Sequence, residues 1–139
     1  MRLKQILSGC VMAVGVLMAS KGIAQETAMW GFTPSRNLVS DEKNLPTKWD
    51  VETGQNIKWK ANLGAQSYAG PVVIGGKVFM GTNNQNARNE KIQGDRGVMM
   101  AFQEADGQFL WQAAHPKLPA GRVNDWPQQG ICSTPYIEG

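Results

Sequence analysis

The chain has 139 residues, 42% of them hydrophobic and 18% charged, and a formal net charge of +3. Its 16 Gly do not recur at every third position and it holds only 2 Cys, which excludes a collagen-like chain and a disulfide-stapled miniprotein. Its aromatic content and modest net charge exclude a disordered chain, and its length alone predicts one ordinary domain.

The N-terminus has the pattern of a secretory signal peptide. A basic start precedes an uncharged, mostly apolar run of about 15 residues, and small residues precede a cleavage site between Ala24 and Gln25. Because roughly 20 apolar residues are needed to cross a membrane, cleavage is favoured over a retained anchor. Residues 7–10 imitate a lipoprotein box that would acylate Cys10, but such a box belongs after the apolar run. We expect residues 1–24 to be a cleaved signal peptide, and the mature chain to be periplasmic or secreted without a transmembrane anchor.

The mature chain is expected to be electrically neutral. Removal of residues 1–24 takes away Arg2, Lys4 and Lys21, which leaves 11 Lys and Arg against 11 Asp and Glu in 115 residues. Since nucleic-acid binding needs a basic face, we expect no nucleic-acid partner. Export also predicts an oxidising compartment, yet the mature chain keeps only Cys132.

Residues 25–55 are predicted to form an irregular N-terminal arm. Trp30, Trp49, Pro34 and Pro46 are scattered among polar and charged residues, and no helical or strand period holds over a useful window. We expect an extended arm that is held in place by its Trp side chains.

The clearest strand signal is a hairpin over residues 70–82. Two runs of β-branched and aromatic residues flank Gly75 and Gly76, which readily adopt the positive φ angles of a two-residue primed turn. Pro71 opens the first strand, where its missing N–H does least damage. These features predict a tight antiparallel hairpin.

Two further strands follow the hairpin. Residues 97–102 form an apolar run, a turn signal at Asp106 and Gly107 comes next, and residues 108–111 form the fourth run. Together with the hairpin, these runs predict a four-stranded antiparallel meander and no helix in the mature chain.

Two sequence features recur along the chain. Trp59 and Trp111 lie 52 positions apart, each with an apolar residue two positions before it and a polar residue after it. Pro71 has a counterpart in Pro135, 64 positions on, and each is followed by Gly at the same spacing. A period of about 50 residues built from four strands is typical of a propeller blade, and chance similarity of short apolar strands is the alternative.

The order of these motifs resembles the pyrroloquinoline-quinone-like (PQQ-like) repeat of β-propellers. The chain presents Pro-Val-Val, Gly-Gly-Lys-Val-Phe-Met-Gly-Thr, Gly-Val-Met-Met-Ala-Phe and Asp-Gly-Gln-Phe-Leu-Trp in that order. The resemblance implies an all-β propeller with four-stranded antiparallel blades: a partial propeller over residues 56–139, with a complete blade at about 69–112 and the next blade starting at about 132. Residues 56–60 would be the outer strand of another blade. The residues implied to be structural in a blade are Trp59, Pro71, Gly75, Gly76, Gly107, Trp111 and Pro135.

The resemblance also implies a longer protein. A propeller closes with 4 to 8 blades, so at about 50 residues each even the smallest needs roughly 200 residues. We therefore expect an N-terminal fragment of an exported member, whose unpaired strand edges recruit other chains.

Quinone chemistry is implied only for the full-length protein, where PQQ with calcium would be the cofactor. Calcium takes oxygen ligands from several converging segments. The carboxylates available in turns are Asp95, Glu104, Asp106 and Asp125, and at such positions turn capping is favoured over metal binding. Cys132, in a predicted strand, is expected to be a small buried hydrophobe. His115, in a predicted loop, has no second His or thiolate, so we assign no catalytic or metal-binding residue.

Two long loops exceed a minimal blade and are the candidate functional region. They are residues 83–96, between the second and third strands, and residues 115–130, after the fourth. Because the second and fourth strands run in the same direction, both loops should leave the same rim. The candidate rim surface is Arg88, Arg96, Arg122, Asn124, Asp125 and Trp126. A solvated loop without a ligand is the alternative.

Three functions are consistent with these features. The first is a binding or assembly scaffold in the cell envelope, similar to the outer-membrane-assembly propeller, with a protein, small-molecule or carbohydrate ligand at the rim. The second is the N-terminal part of a PQQ-dependent alcohol or sugar dehydrogenase. The third is polymer or carbohydrate binding through exposed Trp side chains.

Overall fold

The computed structural model describes residues 28–118 and 126–138. The predicted signal peptide over residues 1–24, with its cleavage site and Cys10, lies outside these residues. So do Arg122, Asn124 and Asp125 of the candidate rim. In the described part of the chain, no helix is long and apolar enough to cross a membrane.

The described residues form an all-β structure with one sheet. Its strands are β1 (Val72–Ile74), β2 (Lys77–Asn83), β3 (Arg96–Gln103) and β4 (Phe109–Pro116). Each strand pairs antiparallel with the next, in the order β1-β2-β3-β4. The predicted four-stranded antiparallel meander is therefore confirmed, and the sheet does not close on itself.

The predicted hairpin turn joins β1 to β2. Gly75 and Gly76 have φ angles of 57° and 68°, and the flanking Ile74 and Lys77 pair directly. Positive φ at both central positions is the requirement of a two-residue primed turn, whose twist matches that of the strands. The local glycine signal is thus sufficient to place this turn.

Strand β4 is longer than predicted and includes His115, which the sequence placed in a loop. The strand runs to Pro116, and His115 pairs with Gly97 of β3. A bulge in the β3–β4 register at Ala101 and Phe102 accompanies this pairing. Backbone pairing along the whole of β3 extends the strand beyond the short apolar run that was visible in the sequence.

The main core cluster lies on one face of the sheet and is covered by an extended segment before β1. Val98, Met100 and Phe102 alternate along β3 and are buried. Trp59, Ala61 and Leu63, which also alternate, pack against them together with residues of β4. The period of two in both segments produces this match, since alternate side chains of an extended chain point to one side.

Residues 56–60 do not form a strand in the described structure. Trp59 instead packs across the β3–β4 turn, where its indole N–H donates to the Glu104 carbonyl at 2.8 Å. A Cβ at Gly107 would lie 2.6 Å from Trp59 Cδ2, so the ring needs a glycine beneath it. This interaction explains the Trp and the Gly without requiring a further strand.

Residues 126–138 also contain no strand, whereas the sequence predicted one beginning near residue 132. Ile131 packs against the sheet, and a Cβ at Gly81 would lie 2.7 Å from its Cγ2. Cys132 is exposed, so its predicted burial is wrong. The neighbouring Ile131 fills the apolar position that the sequence had suggested for the thiol.

Candidate functional site

The long loop after β2 and the connection after β4 are joined at one end of the sheet. Asp95, at the end of the first loop, accepts a hydrogen bond from the Gln128 backbone N–H at 2.9 Å. The same carboxylate forms an ion pair with Lys117 at 3.3 Å. Lys117 Nζ also donates to the Trp126 carbonyl at 3.2 Å, which links both ends of the second connection.

Three buried polar residues at the end of β2 hold this region to the sheet. They are Thr82, Asn83 and Asn84, and all are less than 9% exposed. Asn83 Oδ1 accepts from the Ala65 backbone N–H at 2.9 Å, and Asn83 Nδ2 donates to the Gln128 carbonyl. One buried amide therefore connects the segment before β1 with the connection after β4.

The two neighbours of Asn83 bind adjacent backbone groups. Thr82 Oγ1 accepts from Gly64 N at 3.0 Å and donates to the Gln66 carbonyl at 2.8 Å. Asn84 Nδ2 donates to the carbonyl of Ile92 at 2.8 Å, within the loop after β2. Since buried polar groups that are fully bonded specify one arrangement, these side chains give the loop end of the sheet a defined shape.

Gly130 brings the second connection into contact with the end of β2. Its φ angle is +73°, and a Cβ at this position would lie 2.4 Å from the Thr82 carbonyl oxygen. The adjacent Ile131 N–H donates to that carbonyl at 3.2 Å. A side chain at residue 130 would separate the connection from the sheet.

Sequence reasoning missed these anchoring residues. The available signal was the polar run Thr82–Asn83–Asn84 at the end of an apolar strand. By pattern alone, these polar residues belong to the following loop. Polar side chains at a strand end are usually solvated, and only the folded chain reveals that segments from both directions cover them.

The structure places the described rim candidates in different environments. Arg96 is half-buried and donates from Nε to the Gln93 carbonyl at 2.7 Å, next to Asp95. Trp126 is 64% exposed beside the Lys117 contact. These two residues, and not Arg88, lie at the contacts that join the two loops.

Arg88 lies over the face of the sheet that carries the core cluster. Its guanidinium donates to the Asn62 carbonyl at 2.7 Å and lies 4.4 Å from the Phe109 ring centroid. Phe109 begins β4, whereas the contacts between the two loops lie at the opposite end of that strand. Arg88 therefore contributes a cation–π contact to packing, away from Trp126.

Three of the candidate carboxylates, Asp95, Glu104 and Asp106, are used in local contacts. Asp106 Oδ1 accepts from the Gln108 backbone N–H at 2.9 Å, which is the expected turn cap. Asp95 joins the two loops, and Glu104 lies 4.0 Å from Lys58. Over residues 28–118 and 126–138, no group of three or more His, Cys, Asp or Glu side chains could hold a metal ion. We derive no reaction step through a calcium–quinone site.

Comparison with known proteins gave no relative. No protein-family model, curated protein or solved structure matches the chain. The PQQ-like resemblance consequently stays a prediction from the motifs.

Proposed function

We propose that this chain is an exported PQQ-like propeller repeat protein that acts as a binding or assembly scaffold in the cell envelope. The observation that carries the proposal is the contact of two long loops through Asp95, which binds Lys117 and the Gln128 backbone N–H. Loops that a rigid sheet holds together are the usual location of a binding surface. The sheet supplies that rigidity through its three antiparallel pairings.

The composition of the joined loops favours binding of a macromolecular partner. Trp126 is exposed at the contact, Arg96 lies beside Asp95, and Arg122 is four residues from Trp126 in the sequence. Trp and Arg are the side chains that most often dominate the energy of protein interfaces. We therefore propose a protein partner in the envelope as the principal ligand of this surface.

The proposed role of the sheet as a blade is supported by apolar residues on both of its faces. Phe102 belongs to the core cluster on one face, while Phe79 and Trp111 approach each other at 6.0 Å on the other. Trp111 is still 43% exposed. A blade packs between two neighbours, so apolar side chains on both faces are what that role requires.

A site-specific crosslink tests the proposed surface. A photoreactive benzoylphenylalanine is placed at Leu118, which is 77% exposed and follows Lys117, and the chain is produced in its own host. We expect one discrete crosslinked envelope protein. The double variant Trp126→Ala, Arg122→Ala should abolish this adduct while leaving the circular dichroism spectrum unchanged.

The matched control is Trp49→Ala, because Trp49 is 67% exposed and far from the joined loops in the sequence. This control should keep the adduct at full yield. An adduct that survives the double variant, or that is absent from the unchanged protein, would contradict the proposed scaffold. Turnover of an alcohol or sugar with added PQQ, calcium and an electron acceptor would instead favour the dehydrogenase.

A further inference from the structure

A cleft lies where three distant parts of the chain meet. The Ile137 backbone N–H donates to the Ala28 carbonyl at 2.8 Å, which joins the arm to the end of the described chain. The Gly70 N–H donates to Thr134 Oγ1 at 2.9 Å, just before β1. These contacts bring the arm and residues 133–137 together beside the sheet.

The arm reverses direction tightly at this cleft. Gly31 is buried with a φ angle of +84°, and a Cβ there would lie 2.7 Å from Arg36 Cα. The Arg36 N–H donates to the Thr33 carbonyl at 2.8 Å, and Arg36 itself has a positive φ of 53°. The reversal places Trp30 and Arg36 in the lining of one cleft.

The cleft is open to solvent and combines aromatic rings with hydroxyl groups. Its volume is about 480 Å³, within the usual range for ligand pockets. Trp30 and Tyr136 supply aromatic rings that are 53% and 63% exposed. Ser133 and Thr134 add hydroxyl groups to the lining.

Arg36 is the charged residue of this lining, and its charge is not matched by a described carboxylate. The ion pairs in the described ranges join Lys58 with Glu104 and Lys117 with Asp95. Arg36 is also exposed, and an exposed guanidinium can form a bidentate pair with the carboxylate of a ligand.

We propose that this cleft binds an acidic saccharide through Trp30, Tyr136 and Arg36. Aromatic rings offer flat apolar surfaces to the C–H faces of a sugar, and serine and threonine hydroxyls bond to sugar hydroxyls. Arg36 selects a ring that carries a carboxylate, such as a uronic acid. A nucleic acid is disfavoured, because one arginine does not make a basic patch. This site is separate from the joined loops and does not depend on their function.

Calorimetric titration of the full chain tests this assignment. The probes are digalacturonate, which is acidic, and cellobiose, which is a neutral disaccharide. We expect the acidic probe to bind at least tenfold more tightly. Arg36→Gln should weaken binding of the acidic probe about tenfold, which is the loss expected when a hydrogen bond to a charged group is removed. The affinity for the neutral probe should not change.

Two aromatic variants complete the experiment. Trp30→Ala and Tyr136→Ala should each weaken binding of both probes severalfold. Trp49 is exposed and lies outside the cleft, so Trp49→Ala should change the affinity for neither probe. Amide NMR spectra of the variants report whether the fold is retained. The assignment is overturned if neither probe binds at millimolar concentration, or if a folded Arg36→Gln binds the acidic probe as the unchanged chain does. Loss of the crosslink at the joined loops would leave this result unaffected.

Discussion

Replacement of Asn83 by alanine should destabilise the chain and loosen the contact between the connection after β4 and the sheet. Asn83 is 1% exposed, and its side chain bonds both to the segment before β1 and to the connection after β4. Alanine removes both contacts and creates no new charge. The variant therefore measures how strongly one buried amide holds the loop region together.

The magnitude follows from the geometry of the bonds. The bond from Ala65 N at 2.9 Å and the bond to the Gln128 carbonyl are well formed, whereas the contacts of Oδ1 with the N–H groups of Gln66 and Gln85 are 3.4 and 3.3 Å long. Asn83 Nδ2 also donates to Gln85 Oε1 at 3.0 Å, but Gln85 is exposed and water replaces this bond when it is lost, so it adds little net stability. The two well-formed hydrogen bonds each contribute a net stabilisation of about 1 kcal/mol, and a buried partner left without a hydrogen bond adds to the loss of stability. The expected loss is about 2–3 kcal/mol of the free energy of unfolding.

Urea denaturation followed by Trp fluorescence measures this loss. For a small domain with a slope of about 1–2 kcal/mol per molar urea, the midpoint should fall by about 1–2 M. Asn62→Ala is the matched control, because Asn62 is an exposed Asn whose side chain binds nothing in the described structure. Equal midpoints for Asn83→Ala and Asn62→Ala would refute the anchoring role. Hydrogen exchange at the amide of Ala65 should rise only in Asn83→Ala.

Two further experiments test the turns. Gly107→Ala should lower the free energy of unfolding by about 1–3 kcal/mol because of the φ of +75° alone, and by more because the new Cβ displaces the Trp59 ring. Trp59→Ala removes that ring, so in urea denaturation the double variant should lose less stability than the sum of the two single variants. Asp50 accepts hydrogen bonds from two backbone N–H groups of its own turn, chiefly that of Thr53 and then that of Glu52, and these bonds lower the pKa of its carboxyl below the ordinary 3.8. The turn should therefore be intact above pH 3.8 and should loosen only as the pH falls further and Asp50 is protonated. The amide chemical shifts of the turn report this transition. A transition midpoint at or above pH 3.8 would contradict the role of these hydrogen bonds.

Local sequence signals were sufficient for the sheet but not for the segments around it. The glycine pair at Gly75 and Gly76 selects a turn by its φ angles, and the apolar runs on either side can bury their residues only by pairing. The same reasoning was wrong for Cys132. An apolar run can pack as an irregular segment when one side chain, here Ile131, fills the space above Gly81 and Gly97.

What the sequence determined by itself is the all-β meander, because strand pairing between neighbours in the chain depends on short-range pattern and turn chemistry. Only the tertiary structure decided where the polar and aromatic side chains meet. Asn83 bonds to Ala65, 18 positions before it, and to Gln128, 45 positions after it. Thr134 bonds to Gly70, 64 positions before it. Such contacts depend on the relative placement of whole segments, which no local period or motif encodes. The joined loops and the aromatic cleft are both products of that placement.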